Sequence, residues 1–315
     1  MSSNSFEAEE QTRGQRARRA VSNAPHKAKQ VAYEKTPDRF KNATSLQVRF
    51  RTGLVYVLVS ILAVLATDIT TVVYLSLVSG ICAGEFYYMM RADAKLPNET
   101  IGVVGAVAYP VAMWLWGLTG IALVAVLHMM ALFIWYVYWM RARVGDVAIS
   151  FFGAGYTGML LSSLILLRHS VPEPWGGVIL LVVFCSIWFN DAAAYLFGSK
   201  FGKHKLAPRT SPKKSWEGLI AGLVVSGGVW CVMSFIPGVT MPIPMAILFG
   251  VLCGGAGVVG DLAESRIKRN VGVKDSGTIM PGHGGLLDRC DSLFFASVAA
   301  YILLLIGGCI PYVAV

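Results

Sequence analysis

Nine apolar stretches, each about as long as a bilayer is thick, leave this chain few folds to choose from. They cover residues 52–67, 70–90, 101–116, 119–140, 147–167, 176–197, 217–236, 243–261 and 292–313. A helix rises about 1.5 Å per residue, so roughly 20 residues cross a hydrocarbon core of ~30 Å. Inside that core every backbone N–H and C=O must be paired within the protein, which leaves the helix as the natural form for each stretch. Composition agrees: 55% of residues are hydrophobic and only 14% charged, with a mean hydropathy of +0.60. Soluble domains carry about a quarter charged residues. The expected fold is all-α, a polytopic integral membrane protein with about nine transmembrane helices.

The bases set the orientation. Residues 1–51 hold 11 of the 27 Lys and Arg residues, in a polar tail expected to be cytoplasmic and mostly disordered. No apolar leader segment precedes the first span within the first 30 residues, which argues against a cleaved signal peptide. With the tail inside and nine spans, 26 of the 27 bases fall on the cytoplasmic side, and only Arg168 falls outside. That asymmetry is what the positive-inside rule requires. The expected organisation is a basic tail (1–50), N-terminal transmembrane helices (51–170) and a catalytic transmembrane region (171–315) with cytoplasmic loops 198–216 and 261–291. The six cysteines show no paired spacing and read as packing residues.

Between the last two apolar stretches lies an island of charge, Gly260–Ser292. Ionisable groups beside a membrane are costly and usually functional. If the eighth helix continues to about Arg269, Asp261, Glu264, Ser265 and Lys268 share one face at i, i+3, i+4 and i+7. A glycine-rich loop containing His283 follows, and the ninth helix begins near Leu286 with Asp288 and Asp291 on one face of its start. Asp261 and Asp288 are the first-choice pair for a hard divalent cation, with Asp191 and Asp291 as further candidates. Glu85, inside the second stretch, is a second buried acid that needs a partner. The other basic loop, Lys200–Gly218, contains Ser211-Pro212, which reads as an N-cap followed by proline at the first helical turn. Lys213, Lys214 and Ser215 would then sit where a bound anion offsets the helix dipole. The Gly255–Gly260 run has the spacing of a dinucleotide-binding loop but lies in an apolar span, where close helix packing explains it better.

These residues resemble the signature of the phosphatidate cytidylyltransferases (CDP-diacylglycerol synthases). The match comprises Ser265, Ile267, Lys268, Arg269, Lys274, Asp275, Gly277, Pro281, His283, Gly284, Gly285, Asp288, Arg289 and Asp291. Gly260-Asp261-Leu262, the Ser211–Gly218 segment, and Asp191 with Tyr195 extend it. The resemblance implies cytidylyl transfer from CTP to phosphatidate with Mg2+, in the bacterial inner membrane with the site on the cytoplasmic face. No nucleic acid is involved, and a homodimer is compatible with the reading. Asp261, Lys268 and Asp288 are then the expected catalytic residues. Ser211, Lys213, Lys214, Ser215, Ser265, Lys268, Arg269, Lys274, His283 and Arg289 are the expected substrate-binding set. The rival readings are a CTP-dependent polyprenol kinase and an ion-coupled transporter. A transporter would spread charge among the spans and show an inverted repeat, and neither pattern is present.

Overall fold

The computed structural model describes residues 45–93 and 95–311. Most of the expected disordered tail, residues 1–44, lies outside the described residues. The chain divides at residues 51/52, and everything below concerns the unit from Thr52 onward, apart from the first turns of the first helix. Its helices are α1 (Ser45–Ala66), α2 (Asp68–Arg91), α3 (Glu99–Tyr138), α4 (Val144–Ala154), α5 (Ser163–His169), α6 (Trp175–Phe201), α7 (Trp216–Trp230), α8 (Ile243–Asn270) and α9 (Leu287–Ile306). A π-helical turn, Gly155–Met159, joins α4 to α5 within one crossing. Two short strands, β1 (Lys205–Ala207) and β2 (Ser211–Ser215), form an antiparallel hairpin.

Among the described residues, eight helical segments are long and apolar enough to span a membrane, one fewer than the nine expected. The difference lies in α3. A straight helix of 40 residues would be about 60 Å long, twice what a bilayer needs. Instead Gly117 takes φ 56°, ψ −140°, and the chain turns back on itself. A Cβ on Gly105 would sit 2.8 Å from the His128 ring, and one on Gly120 would collide with the Ala112 carbonyl. Such pairs meet only if residues 99–116 and 118–138 run antiparallel. Glycine is needed at the reversal because a Cβ disfavours that positive φ. The ends of α3 confirm it: the Leu96 N–H, just before its start, donates to Asp146 Oδ1 (2.8 Å), just after its end.

Contacts at the two rims follow the same alternation. At one rim Thr52 at the head of α1 bonds the loop before α9, and Glu85 near the end of α2 bonds the start of α9. At the other, Arg168 at the end of α5 pairs with Asp68 at the start of α2. There too the Thr240 N–H donates to the Cys309 carbonyl (3.0 Å). Arg168, the one base expected on the far side, is buried and neutralised by Asp68 and Glu173.

The catalytic half is drawn together by small residues. A side chain on Gly222 would collide with Asn190 of α6, and one on Gly254 would meet Ser226 of α7 at 2.8 Å. Gly260 lies against the α9 backbone, 2.5 Å from the Asp291 carbonyl if it bore a Cβ. The glycine run of α8 is therefore a helix-packing surface, as expected. Polar hydroxyls join in: Ser226 donates to the Gly250 carbonyl at 2.7 Å.

The hairpin within α3 predicts sidedness directly. In a single-cysteine series, Lys95→Cys and Arg141→Cys should react with an impermeant thiol reagent from the same face, and Leu118→Cys, exposed beside the reversal, only from the opposite one. Labelling of positions 95 and 141 from opposite faces would mean a straight α3.

Candidate active site

The site forms where four helix ends meet a hairpin and a loop. Helix α8 runs on past its apolar part to Asn270, as the spacing predicts, and presents Asp261, Glu264, Ser265 and Lys268 along one face. The i, i+4 relationships are realised. Ser265 Oγ donates to Asp261 Oδ1 at 3.2 Å, and Lys268 Nζ pairs with Glu264. Lys268 Nζ also reaches Asp288 Oδ1 at 2.5 Å, so one ammonium bridges two carboxylates from different helices. Glu264 is wholly buried and Lys268 nearly so. A buried acid–base–acid group of this kind contributes little net stability, but removing one member strands the rest.

The Ser211–Pro212 helix start is corrected by the structure. Ser211–Ser215 is strand β2, and α7 begins at Trp216, with Ser215 Oγ accepting from the Gly218 N–H at 3.2 Å. The cause is Pro208. It takes the second position of a turn closed by the Thr210 N–H on the Ala207 carbonyl (3.2 Å), which folds the loop into a hairpin before any helix can start. Pro212 is tolerated because a two-stranded ribbon has only edges. The hairpin fits closely against the end of α6, where a Cβ on Gly202 would be 2.6 Å from Ser215 Oγ. Lys213 and Lys214 thus project from an extended strand, and Lys214 pairs with Asp261.

A cavity of about 700 Å³ lies between hairpin, α6, α8 and α9. Lys205, Lys213, Lys214, Ser215, Lys268 and Arg289 line it, together with Asp191, Asp261, Asp275, Asp288 and Asp291. Tyr195, matched with Asp191 at the sequence level, lines it too. Ser211, Ser265, Arg269, Lys274 and His283 are outside that lining. Arg269 instead donates to the Val273 carbonyl (3.2 Å), and His283 Nδ1 lies 2.8 Å from Thr52 Oγ1, a loop-shaping role. Lys205 and Ser276 were absent from the expected site. Lys205 becomes legible only once the strand register is known.

Asp288 differs most from expectation. Its Oδ1 accepts from Lys268, and its Oδ2 accepts from the Ser276 N–H (3.0 Å), the Ser276 hydroxyl (3.0 Å) and the Gly285 N–H (2.8 Å). Three donors crowd Oδ2, whereas Oδ1, with Lys268 as its one donor, keeps an acceptor site. Asp288 thus anchors the loop to α9 while also lining the cavity with Asp261. Glu85 completes this anchor from α2. It accepts from the Leu286 N–H (3.1 Å) and the Leu287 N–H (2.8 Å), with the Ser276 hydroxyl 3.3 Å away. The start of α9 has no cap of its own, and the Glu85 carboxylate supplies it against the positive end of the helix dipole. Gly277 and Gly285 lie against Glu85 so closely that any side chain would collide with it.

The donor set fits a hard cation. Asp191, Asp261 and Asp291 reach one another electrostatically, and Asp191 carries no hydrogen bond or ion pair among the described residues. Among the described residues Asp291 accepts only from the neighbouring Ser292 N–H (2.7 Å). These acids would repel a polyphosphate drawn in by the bases unless a cation lay between them. Among the described residues no three acid, His or Cys side chains form a ready-made metal cage. A Mg2+ ion held here would therefore take one or two of these carboxylates and complete its shell with substrate oxygens and water.

The two anchoring acids should be told apart from the cavity acids by stability. Glu85→Ala strands two helix-terminal N–H groups and should cost about 2–5 kcal/mol, with Glu85→Gln milder. Asp288→Asn should likewise lower the unfolding temperature in detergent, whereas Asp191→Asn should leave it within error. Equal unfolding temperatures for wild type, Glu85→Ala and Asp288→Asn would contradict the anchoring role.

The chain has relatives among curated proteins. A phosphatidate cytidylyltransferase of Staphylococcus haemolyticus is 46% identical over 126 residues, covering 40% of this chain and 48% of that protein. One from Haemophilus influenzae is 44% identical over 132 residues, covering 40% and 46%. One from Brucella suis is 41% identical over 169 residues, covering 52% and 58%. The chain thus spans about half the length of the curated relatives it matches. The profile of the cytidylyltransferase family extends much further, over residues 47–306, from the first helix to the last. By that match this chain belongs to the cytidylyltransferase family.

Proposed function

We propose that this protein transfers the cytidylyl group of CTP to phosphatidate, giving CDP-diacylglycerol and pyrophosphate. The observation that carries the reading is the convergence of a basic hairpin and three acid-bearing helix ends on one cavity at the rim of a helical membrane bundle. At about 700 Å³ the cavity falls in the usual range for small-molecule sites and suits a nucleotide. Its position at the ends of apolar helices suits a lipid whose phosphate lies at the membrane surface. Membership of the family and the names of the relatives support the same chemistry.

In this reading a phosphate oxygen of phosphatidate attacks the α-phosphorus of CTP. A new P–O bond forms, the bond to the bridging α–β oxygen breaks, and pyrophosphate leaves with the electron pair. The nucleophile is already ionised near neutral pH, so no side chain need act as general base. Lys213, Lys214 and Arg289 neutralise phosphate charge and align the groups, which is most of what phosphoryl chemistry asks of a protein. Asp191, Asp261 and Asp291 are the acids that would offer ligands to Mg2+, one or two at a time, and the ion would neutralise phosphate charge when bound. Lys268, held between Glu264 and Asp288, keeps one N–H for substrate and fixes the geometry of the acid face. Ser215, as the cap of α7, places that helix start against the cavity. The site belongs on the cytoplasmic side of a bacterial inner membrane, where the bases lie and CTP is available.

Purified protein with labelled CTP, phosphatidate and Mg2+ should move the cytidine label into lipid and release pyrophosphate. Release of CDP with phosphorylated lipid would instead identify a kinase. Lys213→Ala should lower kcat/KM by roughly tenfold to a hundredfold, the effect of losing a charge-assisted contact of about 1.5–3 kcal/mol. Asp261→Asn should abolish turnover in protein that still purifies, and unchanged kinetics would remove Asp261 from the site.

A further inference from the structure

One ring in the cavity has no part in the transfer chemistry described above. Among the described residues that line the cavity, Tyr195 of α6 is the sole aromatic. It is 75% exposed, so the faces of the ring are open rather than packed into the bundle. The neighbouring rings of α6 are engaged with each other, Phe197 lying 6.0 Å from Phe201 between centroids. Tyr195 follows Asp191 by four residues, which puts both on one face of α6 and sets the ring about 6 Å further along the helix. A Cβ on Gly222 would collide with Asn190, and one on Gly218 would lie 2.6 Å from the Ala194 carbonyl. Asp191 is therefore level with the second turn of α7, and Tyr195 with its first turn, next to the hairpin.

The lining is thus ordered along the bundle. Val258, one turn before Asp261 on α8, marks the deep, apolar end. The acids Asp191, Asp261 and Asp291 follow, then Tyr195, and the hairpin bases stand beyond. A lipid phosphate reaches the acids from the apolar end, and a nucleotide reaches them from the hairpin end. With the α-phosphate of CTP at the acids, the rest of the nucleotide extends toward the hairpin in two branches. The β- and γ-phosphates need cations, which the hairpin supplies in Lys205 and Lys213. The base needs a flat apolar surface about one ribose away from the acids, and Tyr195 is the ring placed there. We propose that Tyr195 is the platform on which the nucleobase of CTP stacks. The inference rests on the reading of the cavity as a CTP site. Stacking uses the π-face, which every base has, so Tyr195 supplies affinity rather than a choice between bases. A ligand made of phosphates alone gains nothing from the ring.

Equilibrium binding of CTP to the full-length protein in detergent, with Mg2+ and without lipid, tests this without turnover. Inorganic tripolyphosphate is the base-free comparison. Tyr195→Ala should weaken CTP about fivefold to a hundredfold, the range for removing an aromatic platform from under a base, and leave tripolyphosphate within about twofold of wild type. Tyr195→Phe keeps the π-face and should bind CTP within about twofold of wild type. Tyr195→Leu keeps apolar bulk without a π-face, carries the same expectation as the alanine variant, and replaces it should that variant not purify. Unchanged CTP affinity overturns the proposal. So does an equal loss of CTP and tripolyphosphate, which would mark damage to the acid face one turn away. A raised KM for phosphatidate with CTP affinity intact also overturns it and would place the ring against lipid. Wild-type protein that binds CTP, responds to Tyr195→Ala as expected, yet forms no CDP-diacylglycerol would refute the proposed function and leave the platform standing.

Discussion

The start of α9 is the joint on which the site depends. An unassisted helix N-terminus leaves four N–H groups unpaired, and here that end lies among buried groups. Glu85, carried in from α2, accepts two of those bonds, and Asp288 turns back to accept from Gly285 and Ser276. The Ser276 hydroxyl lies between the two carboxylates with a single proton to give, 3.0 Å from Asp288 and 3.3 Å from Glu85. Lys268 ties the same joint to α8. Through these few bonds the first half of the chain, which carries little of the chemistry, determines where Asp291 and Arg289 stand.

Charge is divided between two tasks. Glu85, Glu264, Lys268 and Asp288 are spent on one another and on backbone N–H groups, and they hold four segments together. Asp191, Asp261 and Asp291, with Lys213, Lys214 and Arg289, face the cavity. Glu85, Glu264 and Lys268 are buried, as expected where paired charges replace solvent, and of the cavity group Asp291 is buried too. Lys214 stands at the boundary: its pairing with Asp261 joins the hairpin to α8 and is the contact a bound polyphosphate and cation would have to exchange.

Much of this was legible in the chain itself. Nine apolar stretches of membrane-spanning length stand out in it, and the break between 101–116 and 119–140 falls at Gly117, where the structure reverses. The extension of α8 to about residue 269 and the start of α9 near Leu286 follow from helical spacing and from the glycine-rich loop. The same-face set Asp261, Glu264, Ser265 and Lys268 follows because helical periodicity is local. The helix expected at Ser211 was wrong because Ser-Pro serves equally in a strand edge, and the turn at Pro208 decided between them.

What the sequence determined alone, then, is the membrane class, the apolar helical segments and the charged residues available to the cavity. These depend on composition and on spacing within single helices, where neighbours lie three or four residues apart. What only the tertiary structure decided is the employment of those charges. Glu85 and Leu287 are 202 residues apart along the chain and 2.8 Å apart in space, Lys214 meets Asp261 across two helices, and Asp288 is claimed by Ser276 and Lys268. A carboxylate is the same group in either role. Whether it binds a cation or a helix end depends on which donors the fold brings within hydrogen-bonding distance.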